Sequence, residues 1–232
     1  MENDYDSFAE AYAAENESSL VNAYYTRPAI LDLLGDVRGR RVLDAGCGAG
    51  SVASGLVERG AVVSGFDRSA KMVELARRRL GDGVDLEVAD IAEPLPYPDA
   101  VFDDAVAALV LHYLEDWTTP LAELRRVLKP GGRLVVVVNH PSLLKLEHRD
   151  ADYFAVSKWS YDYTFAGQPA TLTYWHRPLH AMTDAFTAAG FRTTVISEPR
   201  PAPEAHDLFP DEMARFPSGA FLCFLFFVLE AA

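Results

Sequence analysis

Two cysteines in 232 residues are too few for a disulfide framework or a four-thiolate zinc site; Cys47 lies in a glycine-rich turn and Cys223 in an apolar run. Reduced thiols of this kind suit a cytoplasmic protein. The longest uninterrupted apolar run, residues 220–229, is ten residues, well short of the roughly 20 that a helix needs to cross a bilayer. Residues 1–26 hold six acids (Glu2, Asp4, Asp6, Glu10, Glu15, Glu17) and no Lys or Arg, so the positively charged start of a secretory signal is lacking. Bases are scarce overall: 34 acids face 21 Lys and Arg, for a net charge of −13, and removing the six early acids still leaves 28 against 21. Such a surface repels a phosphate backbone. Neither nucleic acid nor membrane is therefore expected as a partner, and the chain reads as soluble. Six histidines without an H-x-x-H or Cys/His grouping predict no metal site.

What is present is an ordinary globular composition, half hydrophobic and a quarter charged, of a length that suits one large domain. Short apolar runs at residues 41–45, 61–66, 84–88, 101–109, 133–138, 192–196 and 220–229 alternate with amphipathic segments at 51–59, 69–80, 120–128 and 179–189. This βαβα rhythm predicts an α/β fold: a Rossmann-like, doubly wound, mostly parallel sheet with crossover helices. Thr118 or Thr119 before Pro120 reads as the start of one helix, and Lys129-Pro130-Gly131-Gly132 as its end. The arginines at 38, 40 and 41 and at 77–79 read as solvated cations or helix-end charges rather than a nucleic-acid patch.

Two stretches break the rhythm. Residues 141–175 are crowded with aromatics (Tyr153, Phe154, Trp159, Tyr161, Tyr163, Phe165, Tyr174, Trp175), and residues 198–217 carry five prolines. The aromatic stretch is expected to cap a pocket, or else to form a satellite core or a homodimer surface. The chain thus divides into an arm (1–35), a cofactor-binding core (36–139), a cap insertion (140–176) and the last part of the sheet (177–232), all within one domain.

The most informative segment is Arg41-Val-Leu-Asp-Ala-Gly-Cys-Gly-Ala-Gly-Ser-Val-Ala, a strand running into Gly46, Gly48 and Gly50 and then into a helix. Glycines there let a ligand approach the backbone, and the helix start offers unpaired N–H groups. Nineteen residues beyond Gly48, Asp67 ends the next strand, where a carboxylate can accept both hydroxyls of a ribose. The dinucleotide fingerprint G-x-G-x-x-G is not met, because Ser51 stands at its third glycine. Instead, Asp44-x-Gly46-x-Gly48-x-Gly50, with Gly65-Phe-Asp-Arg-Ser, Val88-Ala-Asp-Ile, Phe102-Asp-Asp-Ala and Leu128-Lys-Pro-Gly-Gly, resembles the class I S-adenosylmethionine-dependent methyltransferases. The resemblance spans residues 41–138.

It implies a seven-stranded sheet with an antiparallel last strand and S-adenosylmethionine as cofactor. Carried over, the turn Ala45, Gly46, Cys47, Gly48 and Gly50 faces the methionine part, and Asp44 anchors the turn or reaches the ammonium through water. Asp67 takes the ribose; Arg68 and Met72 flank the adenine; Asp90 and the Ile91 N–H meet its edge. Ala108 and Leu109 end the fourth strand beside it. In such enzymes the arm often folds over the cofactor, which makes Tyr12, Tyr24 and Arg27 candidates, although they could equally serve only to pack the arm.

The implied reaction is in-line methyl displacement onto a small-molecule acceptor, at O, N or C, in an enclosed pocket. Alignment dominates such a step. Where the acceptor must lose a proton, His112, His140 and His176 are the candidate bases or orienting groups near the C-terminal sheet edge; each could equally be structural. An aromatic or amine acceptor would suit the aromatic stretch. The alternatives are an NAD-dependent oxidoreductase and a non-catalytic cofactor-binding or assembly protein of the same fold.

Overall fold

The computed structural model describes residues 3–215 and 222–232. An acidic arm opens the chain: a short 3-10 turn at Tyr5–Ser7, helix α1 (Ala9–Ser18), a π-helical turn at Asn22–Thr26 and α2 (Arg27–Leu34). The core then alternates β1 (Arg41–Ala45), α3 (Ser51–Glu58), β2 (Val62–Asp67), α4 (Ala70–Leu80), β3 (Asp85–Val88), β4 (Phe102–Ala108), α5 (Thr118–Val127) and β5 (Leu128–Asn139). Beyond it come α6 (Leu143–Glu147), a hairpin of β6 (Ser157–Phe165) and β7 (Gln168–His176), α7 (Leu179–Ala188), β8 (Phe191–Ser197), two short helices α8 (Ala205–Leu208) and α9 (Pro210–Ala214), and β9 (Phe224–Ala231).

The main sheet has seven strands in the order β3-β2-β1-β4-β5-β9-β8, parallel from β3 to β5, with β9 antiparallel to both its neighbours. Chain order reverses between β1 and β4, and ligands of doubly wound sheets bind outside the carboxyl ends of the strands at such a point. β1 and β5 are buried on both faces, as strands covered by helices on either side must be; in β5 the continuous apolar run Leu134, Val135, Val136, Val137 and Val138 is fully enclosed. A core on one face centres on Leu43, Phe102, Leu121, Phe186 and Phe227, and one on the other on Ile30, Leu56, Val106, Val137 and Phe226.

Three expectations shift. Helix α5 begins at Thr118, not Pro120, because the Asp116 carboxylate accepts both the Thr118 N–H (2.9 Å) and its hydroxyl (2.7 Å) and so starts the turn earlier. Lys129-Pro130-Gly131-Gly132 follows the end of that helix but belongs to β5, as an irregularity between the Phe102–Leu128 and Asp104–Arg133 pairs. The expected strand at 220–229 is seen from Phe224; Ala220 and Phe221 lie outside the described residues, as does Pro217. The arginine runs are held within the chain: Arg40 and Arg133 pair with the buried Asp104, Arg78 with Glu10 and Glu74, and Arg77 donates to the Leu86 carbonyl.

The aromatic stretch is a hairpin, closed by Ala166 and Gly167 at φ +46° and +83°, the left-handed pair that a tight two-residue turn demands. Trp159, Tyr161 and Phe165 alternate inward along β6. Phe165 and Leu172 bury themselves against Phe8 and Ala11 of the arm, so hairpin and arm share a small core of their own. Among the described residues no helix is long and apolar enough to cross a membrane.

Candidate active site

The turn after β1 is pinned by the Gly46 and Cys47 N–H groups, which both donate to the Phe66 carbonyl at 2.9 Å. Gly46 has φ +76°, and a Cβ there would sit 2.8 Å from Val110 Cγ2, so only glycine fits. Gly50, the residue before α3 with φ +80°, serves packing instead: a Cβ would press on Leu80 and Ala76 of α4. Asp67 closes the loop by accepting the Gly48 N–H on Oδ2 and the Ser69 N–H on Oδ1, both at 2.9 Å. Each oxygen keeps a lone pair for a ligand.

Below and beside this turn is a cavity of about 260 Å³. Of the residues singled out in the sequence, Tyr12, Arg27, Asp44, Gly46, Cys47, Gly48, Asp67, Arg68, Met72, Asp90, Ile91, Ala108 and Leu109 line it. Tyr24, Ala45 and Gly50 are not part of that wall. Tyr24 packs edge-on against Phe209 and its carbonyl accepts the Ala202 N–H, which ties the arm to the proline-rich segment. Ala45 is fully enclosed in the core.

Burial, aided by the charge of Asp67, raises the Asp44 carboxyl to about 7, against the pull of the Ala53 N–H. Its Oδ2 has no hydrogen-bond partner. Arg27 Nη2 on the same wall is likewise unpartnered, lying 3.6 Å from Glu17 Oε1 and so beyond hydrogen-bond reach. One free donor and one free acceptor are the complement of an amino acid's carboxylate and ammonium. Burial also raises Asp67 above the usual carboxylate range, with its two N–H partners opposing. Asp90 ends the third strand's loop with Oδ1 on the Ala92 N–H and Oδ2 4.0 Å from Arg68 Nε. The donor set fits a zwitterionic amino acid joined to a nucleoside.

The acidic arm is docked over this cavity, although most of its acids remain exposed. Asp6 accepts the Ser69 hydroxyl (2.5 Å) and the Lys71 N–H (3.2 Å) at the start of α4. Glu17 accepts the Ser51 hydroxyl (2.7 Å) at the start of α3 and pairs with Arg79 (2.5 Å). Both carboxylates stand at helix N-termini, where the positive end of the helix dipole favours them, and Asp6 also takes a helix-start N–H.

A second cavity, of about 410 Å³, lies under the hairpin. Tyr5, Tyr12, Asn22, Leu109 and Tyr113 line both spaces, so the two meet there. At that junction the Tyr5 and Tyr113 hydroxyls are 2.5 Å apart, Tyr113 stacks on Tyr174, and Leu109 holds φ +56°, a strained value for a non-glycine residue. Burial, then neighbouring tyrosines, keeps Tyr5, Tyr113 and Tyr174 well above the ordinary tyrosine pKa. They are neutral hydroxyls, not bases.

All three histidine candidates line this second cavity. Burial lowers His112 to about 3, with the Leu109 carbonyl opposing, and its Nδ1 accepts the Asn139 N–H at 3.2 Å. His140 takes the Ser142 N–H on Nδ1 (3.1 Å) and faces Glu198 Oε1 with Nε2 (2.8 Å). His176 places Nε2 2.8 Å from the Tyr153 carbonyl, and burial lowers its pKa. Residues not singled out as candidates are Tyr5, Asn16, Tyr113, Tyr174 and Arg177. Tyr5 stands between Asp4 and Asp6 in an acidic stretch and Tyr113 among apolar residues that look like core, so neither context marks a site, and Arg177 is brought there only by a cavity that no sequence pattern outlines.

A family model described as a methyltransferase domain matches residues 43–136. A demethylmenaquinone methyltransferase of Tropheryma whipplei is 36% identical over 136 residues, 57% of this chain and 56% of that protein. A ubiquinone/menaquinone biosynthesis C-methyltransferase of Desulfotalea psychrophila is 40% identical over 111 residues, 46% of this chain and 44% of that protein. The match thus spans about half the length of these curated relatives. The crystal structure of an S-adenosylmethionine-dependent methyltransferase from Mesorhizobium loti aligns with a TM-score of 0.67 and 26% identity, covering 88% of this chain and 96% of that one. Glycine turn, strand order and aligned relatives agree: residues 43–136 match a methyltransferase domain, and the chain is similar in sequence and fold to S-adenosylmethionine-dependent methyltransferases.

Proposed function

We propose that the protein transfers a methyl group from S-adenosylmethionine to a small-molecule acceptor held in the second cavity. The observation that carries this reading is the meeting of two cavities at Tyr5, Leu109 and Tyr113, with Arg27 Nη2 and Asp44 Oδ2, both without a hydrogen-bond partner, belonging to residues that line the first alone. The bound cofactor supplies an activated methyl on a sulfonium, an excellent leaving group. Arg27 would hold its carboxylate, Asp44 its ammonium, Asp67 the ribose hydroxyls and Asp90 the adenine amino group. The chain's own work is then alignment and exclusion of water: the docked arm roofs the junction, and the hairpin walls the acceptor side with Trp159, Tyr161 and Tyr174.

The relatives named for demethylmenaquinone and for ubiquinone/menaquinone biosynthesis support a small, planar acceptor. Calorimetric titration with S-adenosylmethionine, its demethylated form and NAD tests the first half of the reading. Binding of the first two and not of NAD is expected; tighter NAD binding would sink it. Transfer of labelled methyl into a metabolite extract tests the second half, and persistent absence of label across broad acceptor panels would favour a non-catalytic binding protein.

A further inference from the structure

Three histidines line the second cavity, and their ring nitrogens are not equivalent. His140 has none to offer, because Nδ1 takes the Ser142 N–H at 3.1 Å and Nε2 meets Glu198 Oε1 at 2.8 Å. His112 Nε2 is enclosed and without a partner, but burial holds that ring at about 3, too weak a base to take a proton near neutral pH. His176 is the exception. Its Nε2 lies 2.8 Å from the Tyr153 carbonyl oxygen, which can only accept, so the neutral ring carries its proton on Nε2 and a lone pair on Nδ1. Among the described residues no hydrogen bond reaches Nδ1, and the atom is not one of the enclosed ones left without a partner, which are Arg27 Nη2, Asp44 Oδ2, His112 Nε2 and Arg177 Nε. It therefore opens onto the cavity that the ring lines.

The loop before the hairpin holds that ring in place. Asp152 Oδ1 accepts the Phe154 N–H at 2.9 Å and the Asp152 carbonyl accepts the Ala155 N–H at 3.4 Å, a turn that fixes the peptide bearing the Tyr153 carbonyl. The Tyr153 ring also packs on His176, with centroids 5.5 Å apart. An imidazole whose other nitrogen donates to a fixed oxygen is kept in one tautomer and one orientation, as a base requires. Burial lowers the His176 pKa, with the Tyr153 carbonyl and Asp152 opposing, so the ring is neutral at pH 7. Lys158, on the paired strand β6, lies over the Trp175 ring at 5.5 Å. Arg177, next in the chain, is turned over the Trp117 ring with Nη2 on the Glu115 carbonyl. Glu15 and Glu147 line the same cavity, and two carboxylates against one guanidinium favour an imidazolium that forms there. Tyr174 and His176 share a face of β7, about 7 Å apart along the strand. Because Tyr174 stacks on Tyr113, which lines both cavities, the free nitrogen is one pleat from the junction.

We propose that His176 is the catalytic base, its Nδ1 taking the proton that an O–H or N–H acceptor gives up on methylation. The claim rests on the methyl-transfer reading. As the acceptor's proton passes to Nδ1, the electron pair left on that oxygen or nitrogen forms the bond to the methyl carbon, and the pair of the broken C–S bond stays on sulfur. The imidazolium then returns its Nδ1 proton to water. An acceptor with no such proton, a tertiary amine or a thioether, gains nothing from this arrangement.

Nitrogen-15 spectra of the unaltered full chain near pH 7, with and without demethylated cofactor, should show His176 Nδ1 unprotonated and Nε2 protonated. A proton on Nδ1 overturns the assignment without any turnover. Transfer of labelled methyl into a metabolite extract is then compared between the unaltered chain and His176→Gln, whose amide still donates to the Tyr153 carbonyl. At saturating cofactor and pH 7 the variant should be slower by about 100-fold or more, and its deficit should shrink toward about pH 9, where hydroxide does the work of the imidazole. Its affinity for demethylated cofactor should be unchanged, which also shows that it folds. A deficit of less than about threefold, one of equal size at every pH, a loss of cofactor affinity in the variant, or a labelled product whose precursor had no proton to lose would overturn the proposal. Absence of any labelled product from the unaltered chain would instead defeat the methyl-transfer reading, and the tautomer could still be read.

Discussion

The two cavities are made of different materials. The first is bounded by backbone: a glycine turn at strand ends, with Asp67 spending one lone pair of each oxygen on the Gly48 and Ser69 N–H groups. The second is bounded by side chains borrowed from the arm, the hairpin, the loop after β4 and the segment before α7. Backbone geometry admits few residues at each position, whereas aromatic walls tolerate many substitutions that keep volume. On the proposed reading, the first region specifies the cofactor, and the second can be retuned for a new acceptor without disturbing it.

The largest effect that would test this contrast is Asp67→Ala. It leaves two loop N–H groups unpaired and removes the proposed ribose acceptor, so cofactor affinity measured by calorimetry should fall about 100-fold or more, equivalent to roughly 3 kcal/mol. Unchanged affinity would place the nucleoside elsewhere.

Next in size is a pair of opposite pH signatures. Asp44, raised to about 7 from 3.8, keeps a proton that the unfolded chain has lost; its contribution to stability is whole below about pH 4 and disappears as pH climbs to about 7. His112, lowered to about 3 from 6.5, contributes fully above about pH 6.5 and loses that contribution as pH falls toward 3. Thermal melts of the cofactor-free chain should show Asp44→Asn flattening the first slope and His112→Phe the second. Identical profiles for both variants would mean that the cavities are not electrostatically distinct. Binding of demethylated cofactor between pH 5 and 7 should also release a proton as its ammonium settles by Asp44, which calorimetry in buffers of different ionisation enthalpy detects.

The smallest effect belongs to Tyr174→Phe. The stacked ring on Tyr113 survives and one hydroxyl goes, so acceptor affinity should change by less than about tenfold and cofactor affinity not at all. An equal loss at both sites would make the tyrosine junction a shared structural unit.

Sequence pattern and structure agree where the pattern is periodic and the constraint local. Residues 41–45 form a strand with those same bounds, and the glycines at 46, 48 and 50 have positive φ because the turn geometry demands it. The hairpin was not read from the sequence: Trp159, Tyr161, Tyr163 and Phe165 alternate, and Ala166-Gly167 is the turn that follows them, yet the crowd of aromatics reads as a cap over a pocket, or else as a satellite core or a homodimer surface. Asp6 and Glu17 illustrate what pattern misses, since their partners lie 63 and 34 residues away and six early acids look simply solvated. The unpaired His112 and Arg177 nitrogens were illegible for the same reason, because only packing shows which nitrogens have been left without partners.

Tyr5 and Tyr12 carry a further consequence, because each faces both cavities from a single strap of chain. The same two rings therefore form part of the wall for both occupants, and a change in either ring should be felt on both sides of the junction.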